Sequence, residues 1–237
     1  MPAELKLLGN FPYLDHYLEL SNIERELTHI KKNSKVVFVG GGPMPLTPIA
    51  LVLIEIILKA GLAKEFEACL SLKKGDEKRA AVAALLEKLD TSSLDPDYHI
   101  ISVEKDTVAA ERSQELLKAL HLDHAITVQN LAGQDIKVEP GFKTFFIASM
   151  VVGKEEVMRN IMRQIPEGEE VLFLVRSVEQ SNLRELLYEP IEEMLEEIEK
   201  KYPALQKHNS YTPPPGSALI NSVHVYKFKN LATPVLD

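Results

Sequence analysis

The sequence Lys35-Val-Val-Phe-Val-Gly-Gly-Gly-Pro-Met-Pro-Leu-Thr47, followed by the apolar stretch Pro48–Ala60, decides the fold class. Its first part, Lys35–Val39, is a short run of β-branched and aromatic residues, which predicts a buried strand. Three glycines follow at once. Thr47 before Pro48 is the pattern of a helix N-cap followed by proline at the first helical position. A strand, a glycine turn and a helix in this order predict the opening of a βαβ unit.

Strands and helices alternate through the rest of the chain. Apolar residues every three or four positions predict helices at about Thr107–Leu120 and Asn182–Lys200. A last pair of alternating runs has no helix between its strands and ends with Ala218–Tyr226. This order predicts an α/β fold with a mostly parallel sheet, helices on both faces and an antiparallel edge. The other predicted strands are His99–Val103, Ala125–Gln129, Thr144–Ala148 and Glu170–Val175.

Two segments fall outside the alternation. Residues 1–34 carry no strand signal and predict a short helical N-terminal segment or lid. Residues 35–237 predict one α/β domain, interrupted at about 62–96 by an insertion with one exposed helix at Glu77–Leu89. The sequence leaves open whether this helix contacts a second copy in a homodimer or acts as a lid.

Composition excludes several classes of protein. Acidic residues outnumber basic ones, 35 against 27, giving a formal charge of −8, which disfavours nucleic acid as the partner. The single Cys69 forms no internal disulfide, and His121 and His124 have no acidic partner arranged to complete a metal site. The most apolar window, Ile49–Leu58, is about half of the roughly 20 residues that a membrane span needs. The start of the chain has no signal pattern, so a cytoplasmic location is expected.

The glycine turn predicts a ligand site at the tip of the first strand. Glycines there let a ligand approach the backbone closely, and the crevice outside the carboxyl ends of parallel strands is where ligands bind. Pro45 stands where a dinucleotide-binding turn has its third glycine. A nucleoside without phosphates therefore fits better, with Glu104 accepting bonds from its ribose hydroxyls. The alternative is a plain tight turn with Glu104 as a solvated charge.

Several longer motifs resemble the nicotianamine synthase family, in the manner of a short archaeal or bacterial member. The strongest is Phe38–Thr47, which contains the string Gly-Pro-Met-Pro-Leu-Thr. Upstream, Asn10–Glu24 is similar to the family's Phe-Pro-Tyr…Leu-Glu segment, and the likeness extends over most of residues 10–229. Further matching segments are Phe146–Gly153, Leu174–Ser177, Leu183–Pro190 and Ile220–Val223.

The resemblance implies a fold, a cofactor and a reaction. The family has the Rossmann-like class I methyltransferase fold and uses S-adenosylmethionine as a co-substrate, with no metal. It transfers the 3-amino-3-carboxypropyl group to an amine and releases 5′-methylthioadenosine. For the adenine contact after the third strand, Asn130 and Asp135 are the alternatives. The cofactor site that the resemblance implies comprises Gly40, Gly41, Gly42, Pro43, Glu104, Lys105, Asn130, Ala148, Ser149 and Met150.

Glu24 occupies the position of the family's catalytic glutamate. The reaction needs a neutral amine and a group that takes up its proton, and a carboxylate serves both needs. Tyr17 is seven residues before Glu24, which in one helix puts both on the same face, and Tyr13 is a further candidate. Core packing is the alternative for the tyrosines, and a solvated carboxylate is the alternative for Glu24.

Arg176, at the end of a predicted strand, is the candidate ligand for an acceptor carboxylate. The alternative is a salt bridge to Glu104, Glu179 or another neighbouring carboxylate. An aminocarboxypropyl transferase acting on a small amine or amino acid is the leading hypothesis. A small-molecule methyltransferase and a non-catalytic cofactor-binding protein are the alternatives. The sequence does not name the acceptor.

Overall fold

The computed structural model describes residues 3–30, 34–73, 75–89, 99–178, 191–214, 217, 219 and 221–231. The helices are α1 Ala3–Gly9, α2 Leu14–Thr28, α3 Leu46–Lys59, α4 Ala63–Ser71, α5 Asp76–Leu86, α6 Thr107–Ala119, α7 Lys154–Gln164 and α8 Ile191–Lys201. The strands are β1 Lys35–Val39, β2 His99–Glu104, β3 Ile126–Asn130, β4 Phe142–Ile147, β5 Glu170–Val178, β6 Leu205–Tyr211 and β7 Asn221–Lys229.

The seven strands form one sheet in the order β3-β2-β1-β4-β5-β7-β6. Strands β1 to β5 are parallel, whereas β7 is antiparallel to both β5 and β6. The predicted parallel sheet with an antiparallel edge is therefore confirmed. The order reverses between β1 and β4, and such a reversal opens a crevice at the carboxyl ends of the strands.

The side chains of the strands contribute to two hydrophobic cores, one on each face of the sheet, because successive residues of a strand point to opposite faces. Val36 and Phe38 pack with α1 to α6 on one face. Val37 and Val39 pack with α7 and α8 on the other. Helix α2 shares the first core with α3, so the N-terminal segment is packed onto the sheet domain.

The start of α3 differs from the prediction. The helix begins at Leu46 with Pro45 as its N-cap, and Thr47 lies buried in the first turn, so Thr47 is not the cap. The Leu46 N–H donates to the carbonyl of Met44 at 2.8 Å, and the helix begins two residues earlier than expected. None of the described helices, α3 included, is long and apolar enough to cross a membrane.

The insertion contains two helices, α4 and α5, where the sequence predicted one. The prediction that its helix is exposed is wrong, because Val82, Leu85 and Leu86 of α5 are buried against the N-terminal helices. Lys78 of α5 is buried as well, and its ammonium donates to the Glu19 carboxylate of α2 at 2.7 Å. The sequence also missed α7 between β4 and β5. The first half of the predicted helix at 182–200 lies outside the described residues.

Candidate active site

The glycine turn follows β1 at the point where the strand order reverses. Gly40 and Gly42 have φ angles of +87° and +65°, which side chains other than glycine rarely adopt. A Cβ on Gly40 would lie 2.7 Å from Val151, and one on Gly41 would lie 2.2 Å from the Ser102 hydroxyl. Close packing and backbone conformation thus account for the glycines at these positions.

Each of the three glycine amides of the turn already has a protein acceptor. The Gly40 and Gly41 N–H groups donate to the Val103 carbonyl at 2.9 and 3.2 Å. The Gly42 N–H donates to Oε2 of Glu104 at 2.8 Å. Because these donors are used, the turn does not offer a nest of free N–H groups to a pyrophosphate. The structure therefore agrees with the expectation that phosphates are not what the turn binds.

Glu104 braces the turn from the end of β2. Its Oε2 accepts from Gly42, and its Oε1 accepts from the Asp106 N–H at 2.9 Å. Each carboxylate oxygen accepts one of these bonds and keeps a second lone pair for a ligand hydroxyl. The half-buried carboxylate also faces a cleft, so bracing the turn and binding a ligand are compatible roles.

This cleft, with a volume of about 520 Å³, lies at the carboxyl ends of β1 to β4. The sequence missed the wall formed by Val151–Gly153, the turn residues Gly133 and Gln134, and Glu156 of α7. The expected cofactor residues that line it are Gly40, Gly42, Pro43, Glu104, Lys105 and Met150.

The remaining expected cofactor residues do not line the cleft. The Asn130 amide donates to the carbonyls of Glu104 and Lys105 at 2.9 and 3.2 Å, so its side chain supports the loop behind the cleft. Asp135 is exposed, and its neighbour Gln134 is the cleft residue. Gly41 faces the Ser102 hydroxyl, Ala148 lies beside Gly40, and the Ser149 carbonyl accepts from the Lys154 ammonium at 2.8 Å.

A second cavity, of about 330 Å³, is lined by residues of α2 and by the first residue of α3, and it is called here the aromatic cavity. Two predicted residues, Tyr13 and Tyr17, line it. Leu46 lines it as well, three residues after Pro43 of the cleft, so the segment 43–46 separates the two spaces. Three residues of extended chain span at most about 10 Å, which places the cavities side by side. The other lining residues are Phe11, His16, Leu20, Leu219 and Asn221.

Glu24 and Arg176 form a buried ion pair. Nε and Nη2 of Arg176 donate to Oε1 and Oε2 of Glu24, both at 2.6 Å. The arginine carbon Cζ lies 5.6 Å from the centre of the Phe38 ring, and Phe38 is two residues before Gly40. The salt-bridge alternative for Arg176 is therefore observed, with Glu24 as the neighbouring carboxylate. Glu179 lies outside the described residues. Neither residue lines a described cavity.

Burial governs the electrostatics of this pair. The Glu24 side chain is 0% exposed and that of Arg176 is 5% exposed. Removal of the carboxylate from water raises the pKa of Glu24 above its ordinary value, and the charge and hydrogen bonds of Arg176 act in the opposite direction. A carboxylate with a raised pKa accepts a proton more readily. Within the described residues, no group of three His, Cys, Asp or Glu side chains is arranged to hold a metal ion.

The fold is that of the class I methyltransferases. A structure described as a SAM-dependent methyltransferase from Aquifex aeolicus superimposes with a TM-score of 0.57 at 9% identity, covering 96% of this chain and 98% of that one. A sequence model described as nicotianamine synthase protein matches residues 2–232. The chain belongs to the nicotianamine synthase family.

Individual relatives share parts of the chain. MtNAS in complex with MTA and tNA superimposes with a TM-score of 0.59 at 22% identity, covering 94% of this chain and 63% of MtNAS. A nicotianamine synthase-like 5 protein of Hordeum vulgare is 38% identical over 53 residues, 22% of this chain and 19% of that protein. Nicotianamine synthase 2 of Arabidopsis thaliana is 46% identical over 52 residues, 20% of this chain and 16% of that protein. The chain thus spans less than two thirds of MtNAS.

Proposed function

We propose that this protein binds S-adenosylmethionine in the cleft and transfers its 3-amino-3-carboxypropyl group to an amine. Membership of the nicotianamine synthase family supports the reaction. MtNAS structures that contain S-adenosylmethionine or MTA support the cofactor. The observation that carries the proposal is a pair of cavities at the two ends of the segment 43–46. Pro43 lines the cleft, proposed for the cofactor, and Leu46 lines the aromatic cavity, proposed for the acceptor.

The cleft suits an adenosine that carries no phosphates. Its volume, about 520 Å³, is in the range of small-molecule sites. The glycine amides are occupied, whereas Glu104 retains lone pairs for ribose hydroxyls. Gln134 is the side chain proposed to contact the adenine, since it lines the cleft after β3. Met150 and Val152 form the exposed rim next to the sulfonium.

The transfer itself requires positioning and a proton acceptor. The lone pair of a neutral amine attacks the carbon of the 3-amino-3-carboxypropyl group that is bonded to sulfur. A C–N bond forms at this carbon and its C–S bond breaks. The electron pair of the broken C–S bond stays on sulfur and neutralises the sulfonium, so 5′-methylthioadenosine leaves. The ammonium of the product then releases a proton. Holding the two reactants in line can supply on the order of 7–11 kcal/mol of the barrier.

Glu24 is proposed as the base that receives this proton, with Tyr17 and Tyr13 orienting the amine. Leu20 and Tyr17 line the aromatic cavity and are four and seven residues before Glu24, on the same side of α2. The raised pKa of the buried carboxyl favours proton uptake. For Glu24 to reach the amine, one of its oxygens exchanges Arg176 for the substrate.

Methyl transfer is the second candidate, because the methyltransferase from Aquifex aeolicus matches this chain almost end to end. The test is to incubate the protein with S-adenosylmethionine and a panel of amines and to identify the nucleoside product by mass spectrometry. Release of 5′-methylthioadenosine is expected. S-adenosylhomocysteine would instead establish methyl transfer, and binding without consumption would contradict both reactions.

A further inference from the structure

A buried lysine joins the insertion to α2. The Lys78 side chain of α5 is 3% exposed, and its ammonium donates to Oε2 of Glu19 at 2.7 Å. It also donates to the carbonyl of Leu70 in α4 at 3.2 Å. An ammonium removed from water costs free energy unless charged and polar partners compensate for the lost hydration. Lys78 thus connects three helices, and it lines neither the cleft nor the aromatic cavity.

Apolar packing holds the same helices together. Val82, Leu85 and Leu86 of α5 belong to the hydrophobic core that also contains residues of α1 and α2. A Cβ on Gly9 of α1 would lie 3.3 Å from Cα of Ala83, so α1 and α5 approach each other closely. The insertion therefore packs directly against the N-terminal segment, which supplies most of the residues that line the aromatic cavity.

Two ion pairs hold α2 from different sides. Glu24 pairs with Arg176 of β5, and Glu19 pairs with Lys78 of α5. Successive residues of an α-helix are rotated by about 100°, so residues five positions apart lie about 140° apart around its axis. A single pair restrains the helix at one point of its circumference, whereas two pairs at this angle oppose rotation. Together they fix the orientation of α2 about its axis.

The orientation of α2 determines the geometry of the proposed acceptor site. Tyr17 and Leu20 of this helix line the aromatic cavity, and Glu24 is the proposed base. Side chains extend about 5–6 Å from the helix axis, so a rotation of about 20° moves their ends by about 2 Å. A misplacement of about 1 Å can lower a rate about 100-fold. By contrast, the described residues that line the cleft include none from α2.

We propose that Lys78 is a positioning residue, through which the insertion sets the orientation of α2 toward the acceptor amine. This inference rests on the proposed function, which places the acceptor in the aromatic cavity. Lys78 acts through Glu19 and touches neither substrate. The insertion thus serves the acceptor side of the reaction and not the cofactor cleft.

The variant Lys78→Met tests this role, because methionine keeps most of the apolar stem and removes the ammonium. The Glu19 side chain is 31% exposed and stays solvated, so no buried charge loses its partner. The Tm is therefore expected to change by less than about 4 °C. With the panel amine that the unaltered protein consumes fastest, kcat/KM for the amine is expected to fall at least about tenfold. The KM for S-adenosylmethionine and the Kd of 5′-methylthioadenosine are expected to be unchanged.

Three further variants serve as controls. Lys78→Arg keeps a cation and is expected to retain most of the kcat/KM for the amine. Lys6 also joins the N-terminal segment to the insertion, 3.8 Å from Glu87, but these side chains are 66% and 54% exposed. Exposed pairs contribute little, so Lys6→Met is expected to leave kcat/KM unchanged. The double variant Lys78→Met/Glu19→Gln is expected to be no slower than Lys78→Met, because both changes remove the same contact.

The outcomes distinguish failure of this inference from failure of the proposed function. An unchanged kcat/KM for the amine in Lys78→Met would overturn the positioning role, and so would a parallel rise in the KM for S-adenosylmethionine. If the unaltered protein releases no 5′-methylthioadenosine with any amine, the proposed function is refuted. Hydrogen–deuterium exchange needs no substrate and tests the contact in either case. Amides of α2 are expected to exchange faster in Lys78→Met while those of α6 do not, and equal exchange of α2 in both proteins would overturn the inference.

Discussion

Substitution of Glu24 by glutamine tests the buried ion pair between α2 and β5. Glu24 and Arg176 are 152 residues apart in sequence and are joined by two bonds of 2.6 Å. Glutamine has nearly the same shape, but it is neutral and offers one acceptor oxygen where the carboxylate offers two. The Glu24→Gln variant therefore leaves the Arg176 guanidinium, which is 5% exposed at its side chain, without a counter-ion.

The expected loss of stability is about 3 kcal/mol. Removal of one partner of a buried pair typically costs 3–5 kcal/mol, and the lower end applies because one hydrogen bond survives. For a chain of 237 residues this corresponds to a Tm lower by about 6–12 °C, measured by circular dichroism. Glu169→Gln is the matched control, because its bond to Lys143 joins side chains that are 45% and 46% exposed. An exposed pair of this kind contributes below about 1 kcal/mol.

A second measurement separates the structural role of Glu24 from its proposed role as a base. Well below the Tm of the variant, Glu24→Gln is expected to bind 5′-methylthioadenosine normally and to turn over at least about 100-fold more slowly. The double variant Glu24→Gln/Arg176→Met is expected to recover part of the lost Tm, since it removes the unpaired charge. A Glu24→Gln variant as stable as Glu169→Gln would refute the ion-pair argument, and unchanged turnover would remove Glu24 from the mechanism.

Three further predictions follow from other contacts. Gly41→Ala is expected to lower the free energy of unfolding by about 1–3 kcal/mol, because its Cβ would lie 2.2 Å from the Ser102 hydroxyl. Chemical denaturation of the double variant Gly41→Ala/Ser102→Ala should show most of this loss restored. A double variant as unstable as Gly41→Ala would contradict the steric cause. Lys154 is fully buried and donates to the carbonyls of Ser149 and Val151 at 2.8 and 2.5 Å, so it positions the loop that lines the cleft. Lys154→Met is therefore expected to raise the KM for S-adenosylmethionine about tenfold, with a smaller change in kcat. Lys154→Arg should restore part of the KM, and an unaltered KM in Lys154→Met would refute the positioning role. Burial lowers the pKa of His99 below its usual 6.5, so the folded state binds fewer protons than the unfolded state. The free energy of unfolding, measured with urea, should therefore fall as the pH drops through the window just below 6.5. His99→Gln should make this fall shallower, and the same dependence on pH in both proteins would count against the prediction.

Much of the fold followed from local patterns in the sequence. The strand Lys35–Val39, its glycine turn and the next helix were predicted within one or two residues of the observed bounds, because apolar periodicity and turn residues act over short range. The order of strands and helices also predicted the parallel sheet and its antiparallel edge. The cap of α3 was mispredicted, since Pro45 and the turn ahead of it, and not the Thr47 side chain, set where the helix begins.

The site was only partly accessible from the sequence. The cleft residues Gly40, Gly42 and Glu104 were found because they come directly after strands whose ends meet at one edge of the sheet. Gln134 and Glu156 were missed, since no motif marks them and only the packing of α7 beside β4 brings them to the cleft.

Sequence alone determined the fold class, the family resemblance and the glycine turn after the first strand, because each depends on residues close together in the chain. The tertiary structure decided that Glu24 pairs with Arg176 and that rings in and just before α2 line a cavity together with Leu46 of α3. Such contacts join residues far apart in sequence. They depend on the direction in which α2 packs across the sheet. A hydrophobic pattern shows which face of the helix is buried, but it does not set this direction.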